Sequence, residues 1–482
     1  MHLWLIGWGG FQEMIDVALE LKKRSHQIGY WIHGGLLEVD VSLFPRTIFH
    51  RHEDAMEGVP PKELQRADFP LPDETLILSL ARAESDLLVM MNKRYEPMGV
   101  DERKHFYYEL IRYWHGALKR MKPDMIIFPA VPHTPYIFVI YSLAKLLGIR
   151  TVMFDFTRVN DRLLLMNDYK EGSPALKREM QNSFHRGASP EILSPETRKY
   201  YEQETSGKLD AVPSDMTQII GRYSGKEWLR LKLKALWWSI HTFTFFEHVA
   251  HFLFKKFWHN LRTEYQSVQS SPDFTKRYIY LPLHYQPECS TSPLGSVFVD
   301  QLLMVKTLSE SLPEGWFIYV KEHPTQWLAR GAGYLSHRYR GYYRQMATFP
   351  NVRVIPLETN SYHLIYSARA VATVTGTAGW EAILRSKPAL MFGYAWYRDC
   401  PGVFRVDGPT SCKAAIRKIE EGFTIDKPAV IGYLAAFEKA SVHGYVESYC
   451  KELSTLSEKE NTHNLLESIL SEITKLDKPH TS

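Results

Sequence analysis

The sequence predicts an α/β protein with two Rossmann-like domains and an inserted helical segment. Three observations carry that prediction. Residues 370–375, Ala-Val-Ala-Thr-Val-Thr, are small or β-branched and read as a buried strand, which runs directly into a glycine turn and a helix with Trp380, Ile383 and Leu384 on one face. The first 33 residues show the same plan: strand His2 to Ile6, turn Gly7 to Gly10, amphipathic helix Phe11 to Arg24, strand Ile28 to His33. The length of 482 residues suffices for two or three domains with their own cores, and 45% hydrophobic with 23% charged residues is ordinary for a globular protein.

In order, the first domain (1–215) continues with a helix at Asp101 to Met121, a strand at Pro123 to Pro129, a helix at Tyr136 to Leu147 and a last clear strand at Thr151 to Phe154. Alternation of strand and helix implies a parallel sheet. The turn Gly7-Trp8-Gly9-Gly10 is not the G-x-G-x-x-G dinucleotide fingerprint. Gly9 and Gly10 either line an acceptor site or make a tight turn for close helix packing. The loop Asp155-Phe-Thr-Arg-Val-Asn-Asp-Arg places Asp155, Arg158 and Asp161 just past a strand's carboxyl end. Carboxylates there suit proton transfer or attack on a sugar carbon; the alternative is loop capping with a surface ion pair.

Residues 170–214 are polar and loop-rich. The insert (216–270) contains Lys226 to Arg262, with seven Lys/Arg against two Glu and ten aromatic residues. Such helices either lie on an anionic membrane surface or pack as hairpins on a domain. His248 and His251 lie a turn apart, but E-H-V-A-H is not the H-E-x-x-H zinc motif.

The second domain (271–425) begins with the strand Arg277-Tyr-Ile-Tyr-Leu-Pro-Leu and a loop from His284 to Gly295 rich in short polar donors. There follow a helix at Val297 to Leu312, a strand ending in Lys321-Glu322-His323-Pro324, an exposed basic helical piece at Tyr334 to Ala347, a strand at Val352 to Pro356 and a short helix near Tyr362. Past the glycine turn, Lys387-Pro388 stops the helix and Ala389 to Gly393 forms the next strand. Closing helices are expected within 426–482, at Tyr433 to Leu456 and Leu465 to Leu476.

Composition narrows the function. A balance of 58 basic to 54 acidic side chains offers no general attraction for nucleic acid. Cys289, Cys400, Cys412 and Cys450 are widely spaced, which suits reduced thiols better than a disulfide framework or a zinc site. The start lacks a signal peptide pattern and no apolar run spans a bilayer, so a cytoplasmic protein is expected, soluble or peripheral on the membrane's inner face.

The chemistry centres on the turn at 375–379. A helix start presents unpaired N–H groups at its positive end, and Thr375 and Thr377 add hydroxyls, so a phosphate is the natural guest. A helix end contributes only about 0.3–1 kcal/mol to an exposed anion, while micromolar binding needs about 8 kcal/mol. Other groups must converge. The strand ending in Lys321-Glu322-His323 supplies them, because ligands of open parallel sheets bind at the carboxyl ends of strands.

Two doubly wound domains facing a cleft, with no Walker A loop and no D-x-D triplet, resemble the metal-independent GT-B glycosyltransferases. The segments H-Y-Q-P-E-C-S-T-S-P-L-G, K-E-H-P and V-T-G-T-A-G-W-E-A-I-L-R-S-K-P-A-L-M-F-G resemble the bacterial capsule polysaccharide biosynthesis family, which includes CMP-Kdo-dependent β-Kdo transferases. The H-P pair is shared with bacterial sialyltransferases. The resemblance covers about residues 277–400. It implies a nucleotide site of Lys321, His323 and Pro324 with Thr375, Gly376, Thr377, Ala378 and Gly379, in which His323 donates to the CMP phosphate and Glu381 reaches the ribose. Gln286, Ser290 and Ser292 would line the donor site. Asp155 would be nucleophile or base, although the family shows Glu-x-Gly where this chain has Asp155-Phe-Thr157. No cofactor is implied beyond the CMP-sugar substrate; the partners would be a nucleotide-sugar donor and a glycan or glycolipid acceptor. Two other readings stay open: a CDP-polyol phosphate transferase, and a non-catalytic partner in capsule assembly.

Overall fold

The computed structural model describes residues 1–477 except 35–38, 96, 184–187, 207–228, 231–232, 234–236, 238–260, 287, 327–337 and 453. Almost all of the basic aromatic stretch from Lys226, with His248 and His251, therefore lies outside the described residues. The chain forms two compact units: residues 1–200, 292–296 and 431–482, and residues 201–291 and 297–430. Among the described residues no helix is long and apolar enough to cross a membrane.

Unit 1 is built on β1 (His2–Ile6), β2 (Gln27–His33), β3 (Ile48–Arg51), β4 (Met125–Phe128), β5 (Arg150–Phe156) and β6 (Arg162–Met166), with a short strand Val442–His443. The order is β3-β2-β1-β4-β5-β6, then Val442–His443 at the edge. The first five strands pair in parallel, and β6 and the edge strand are antiparallel. Leu3 to Ile6 and Met125 to Phe128 are wholly buried, as strands covered by helices on both faces must be. On one face the helices Gln12–Lys23 and Glu458–Asp477 supply Met14, Val17 and Leu21 with Leu465, Ile469 and Ile473 to a shared core. On the other, Trp4, Tyr30, Trp114 and Tyr136 pack together.

The expected closing helices belong to unit 1. The buried Glu13 accepts from Tyr445 Oη at 2.6 Å and pairs with Lys451 at 3.0 Å, tying the first helix to the end of the chain. The helix expected at Tyr433 to Leu456 stops at Ala440, where the edge strand begins.

Unit 2 holds β7 (Arg277–Pro282), β8 (Trp316–Lys321), β9 (Val352–Val354), β10 (Ala370–Thr373), β11 (Ala389–Met391) and β12 (Val403–Arg405). Its sheet is parallel throughout, in the order β12-β11-β10-β7-β8-β9. In chain order this is 3-2-1-4-5-6, the doubly wound arrangement, and its direction of winding reverses between β7 and β10. The expectation of two Rossmann-like domains holds. The strand expected to reach Thr375 ends at Thr373, which leaves 374–376 as the connection to the helix Thr377–Leu384.

Candidate functional site

The reversal between β7 and β10 places two loops side by side at the carboxyl edge of unit 2, and His284 joins them. Its Nε2 lies 2.9 Å from Thr373 Oγ1 and receives the backbone N–H groups of Val374 (3.2 Å) and Thr375 (3.4 Å). An N–H only donates, so Nε2 is the accepting nitrogen and the neutral ring carries its proton on Nδ1. Burial, reinforced by His323 and Arg338, pushes the imidazole pKa down to about 3, so His284 stays neutral. Gly376 is required beside it: a Cβ there would sit 2.9 Å from His284 Cε1.

The loops that follow β7 and β8 are tied together through Arg338, whose ion pair with Glu322 has both side chains fully buried. Arg338 donates from Nε to Glu322 Oε2 and from Nη2 to Glu322 Oε1, both at 3.1 Å. The same guanidinium reaches the His284 carbonyl at 2.8 Å and the Gln286 side-chain oxygen. Glu322 also accepts from Tyr343 Oη at 2.5 Å and from the His323 backbone N–H at 2.7 Å. A planar fork satisfying a carboxylate and a carbonyl at once is a task for arginine rather than lysine.

His323 follows, half-buried, with exposed Pro324 after it. Its Nδ1 accepts from the Thr325 backbone N–H at 3.3 Å and lies 2.9 Å from Thr325 Oγ1. The neutral ring therefore carries its proton on Nε2, which is then its donor atom. The helix start lies two strands away across β7. Gly376 is the N-cap without a side-chain cap, and the Gly379 N–H returns to the Gly376 carbonyl at 3.2 Å. Tyr397 donates its hydroxyl to the same carbonyl. A Cβ on Gly379 would fall 2.4 Å from that hydroxyl. Thr377 is exposed, Ala378 and Glu381 half-buried.

Several expected ligands are committed elsewhere. Lys321 is buried, with its ammonium on the Thr359 carbonyl and Ser361 Oγ, and burial lowers its pKa to about 8. Its charge anchors the loop before the next helix. Thr375 Oγ1 donates to the Ser290 carbonyl at 2.6 Å, so that hydroxyl is used within the protein. Gln286 gives its oxygen to Arg338 and its amide to the Val299 carbonyl at 2.6 Å. Ser290 Oγ lies 3.3 Å from Glu288 Oε2, and Ser292 Oγ donates to the Asp86 carbonyl within unit 1.

In unit 1, Asp155 lies inside β5 rather than past it, because β6 folds back antiparallel and extends the ladder to Phe156. Burial alone pushes its carboxyl up to about 7. Arg158 and Asp161 belong to the hairpin turn, at φ of 60° and 49°, and the Asp161 carbonyl accepts from the Gly444 N–H. Gly9 and Gly10, at φ of 146° and 100°, line a cavity at the reversal between β1 and β4.

Sequence reasoning did not single out His284, Arg338 or Tyr397. His284 could have been found as the first polar residue beyond a strand beside the reversal. Arg338 sits in a stretch expected to be exposed and basic, yet it is buried; nothing local marks its pairing with a carboxylate sixteen residues earlier.

Fold and edge together define a class: two doubly wound α/β units, the second with His284 and His323 at the carboxyl edge of its sheet. Residues 289–422 match the family model described as "Capsule polysaccharide biosynthesis protein". Among solved structures the chain is similar to the β-Kdo 2,7 transferase of Thermosulfurimonas dismutans KpsC, at 9% identity over 97% of this chain and 99% of that one, with a TM-score of 0.33. The β-Kdo 2,4 transferase of the same KpsC shows 14% identity over 65% and 79%, with a TM-score of 0.30. UDP-GlcNAc 2-epimerase from Methanocaldococcus jannaschii shows 13% identity over 90% and 98%, with a TM-score of 0.24. Likenesses of this size transfer no reaction to this chain. No curated protein matches it at a significant level.

Proposed function

We propose that the protein is a metal-independent glycosyltransferase that moves Kdo or a related ulosonic acid from a CMP-sugar to a bacterial capsule or other surface polysaccharide. The observation that carries this reading is that the matched segment contains both His323, with Nδ1 accepting from Thr325, and the helix start at 377–379 without a side-chain cap, on one carboxyl edge. In the transfer, the bond from the anomeric carbon to the phosphate oxygen breaks and its electron pair leaves with CMP. The acceptor oxygen bonds to that carbon and loses its proton. His323 Nε2–H and the Thr377 and Ala378 amides would hold the charge growing on the departing phosphate. Asp155, with a carboxyl pKa of about 7, is poised for proton transfer or for nucleophilic attack.

The test is calorimetric titration with CMP, CDP, UDP and GDP in EDTA. Selective CMP binding is expected, weakened roughly 10- to 100-fold in His323→Ala for the loss of a charge-assisted hydrogen bond of about 1.5–3 kcal/mol. Unchanged CMP affinity in that variant, with the fold intact, would remove His323 from the site. Preference for CDP would favour transfer of a polyol phosphate instead.

A further inference from the structure

His284 has one ring nitrogen that the fold does not use. Its Nε2 is engaged by Thr373 Oγ1 and by the Val374 and Thr375 N–H groups, which fixes the proton on Nδ1. That Nδ1–H has no acceptor among the described residues, although His284 is only 8% exposed. A buried donor left without an acceptor is a cost that proteins rarely carry without a partner to relieve it.

The surroundings indicate the partner. β7 lies between β10 and β8 in the sheet, so His284, just past β7, stands between the helix start that follows β10 and the loop that follows β8. Its Cε1, the atom bonded to Nδ1, is 2.9 Å from where a Cβ on Gly376 would sit, and Gly376 is the N-cap of the helix Thr377–Leu384. The Thr377 and Ala378 N–H groups open that helix and have no intrahelical acceptor. Donors gathered at the positive end of a helix favour an anion with several acceptor oxygens.

We propose that His284 Nδ1–H joins the Thr377 and Ala378 amides in binding the phosphate group of a phosphate monoester. The ring then performs two tasks with its two nitrogens, shaping the turn at 373–375 through Nε2 and holding the ligand through Nδ1. A proton on Nε2 would face two backbone N–H groups, so His284 gives the phosphate a hydrogen bond and no charge. That this phosphate is the one in a CMP-sugar rests on the transferase reading above; the phosphate site itself does not.

Glutamine separates the two tasks, because its side-chain oxygen can accept where Nε2 lies while nothing donates where Nδ1 lies. The experiment compares the full chain and His284→Gln by calorimetric titration with CMP and with cytidine, and by ³¹P NMR with inorganic phosphate. In the folded variant CMP and phosphate should bind roughly tenfold or more weakly, with cytidine unchanged. In the wild type, long-range ¹⁵N–¹H spectra should place the His284 proton on Nδ1, and its resonance should move when phosphate is added; if His284→Gln unfolds, that resonance decides. Absence of binding by both CMP and phosphate, affinities indifferent to the substitution, equal losses for CMP and cytidine, or an Nδ1–H resonance unmoved by phosphate would overturn the proposal. Phosphate binding that needs His284 in a protein that does not bind CMP would sustain it and remove only the transferase reading, whereas CMP binding indifferent to His284 would do the reverse.

Discussion

Replacing Arg338 with methionine tests whether the carboxyl edge of unit 2 is held by its buried ion pair. Both side chains are fully buried, and the substitution removes two contacts to Glu322 at 3.1 Å and the one to the His284 carbonyl at 2.8 Å. Glu322 would keep only Tyr343 Oη and the His323 N–H. A buried charge left without its partner costs about 3–5 kcal/mol. For a unit of this size each kcal/mol shifts the melting temperature by roughly 2–4 °C, so a fall of roughly 6–20 °C is expected by calorimetry. Urea unfolding followed by fluorescence gives the free energy directly. Adding Glu322→Gln neutralises the stranded carboxylate, so the double variant should be more stable than the sum of the single effects by about 1–3 kcal/mol. A loss below about 1 kcal/mol in Arg338→Met, or strict additivity in the double variant, would refute the argument that this pair organises the edge.

Other expectations are read in the same way. Gly379→Ala places a Cβ 2.4 Å from Tyr397 Oη and 2.8 Å from Thr373 Cγ2, so it should destabilise by about 1–3 kcal/mol; Tyr397→Phe in the same chain should recover part of that loss in urea unfolding. Asp155 has a folded pKa of about 7, above its unfolded value, so the folded state holds the extra proton between about pH 4 and 7 and stability declines as pH rises through that window. Asp155→Asn should flatten this decline and gain on the wild type at pH 8, while a parallel pH profile would exclude Asp155 as its source. The basic aromatic stretch from Lys226 to Arg262 should bring the protein down with anionic liposomes and release it at high salt; cosedimentation equal with neutral vesicles would return that stretch to packing.

The long apolar strands and amphipathic helices were legible because both of their faces or one whole stripe must be buried, and periodicity records that. β3, β6 and β12 were not, since strands of three to five residues at or near a sheet margin carry little pattern. The hidden β6 is also why Asp155 was placed past a strand end: its neighbours look like loop until the hairpin partner is known. In the second sheet the positions of the glycine turn and of His323 at strand ends were legible. Lys321 and Thr375 were read as ligand groups because their types suit phosphate, and only their neighbours show that Thr359, Ser361 and Ser290 already engage them.

By itself the sequence determined that two strand-and-helix domains form, that a glycine-hinged helix start follows a buried strand, and that a histidine sits at the end of another. These follow from local rules of burial period, backbone freedom and chain punctuation. The tertiary structure alone decided that the last fifty residues complete the first sheet, that Arg338 is buried against Glu322, and that His284 takes up amides next to the helix start. Those outcomes depend on which strands become neighbours. Neighbour choice is settled by the summed packing of whole elements, so no single stretch of residues records it.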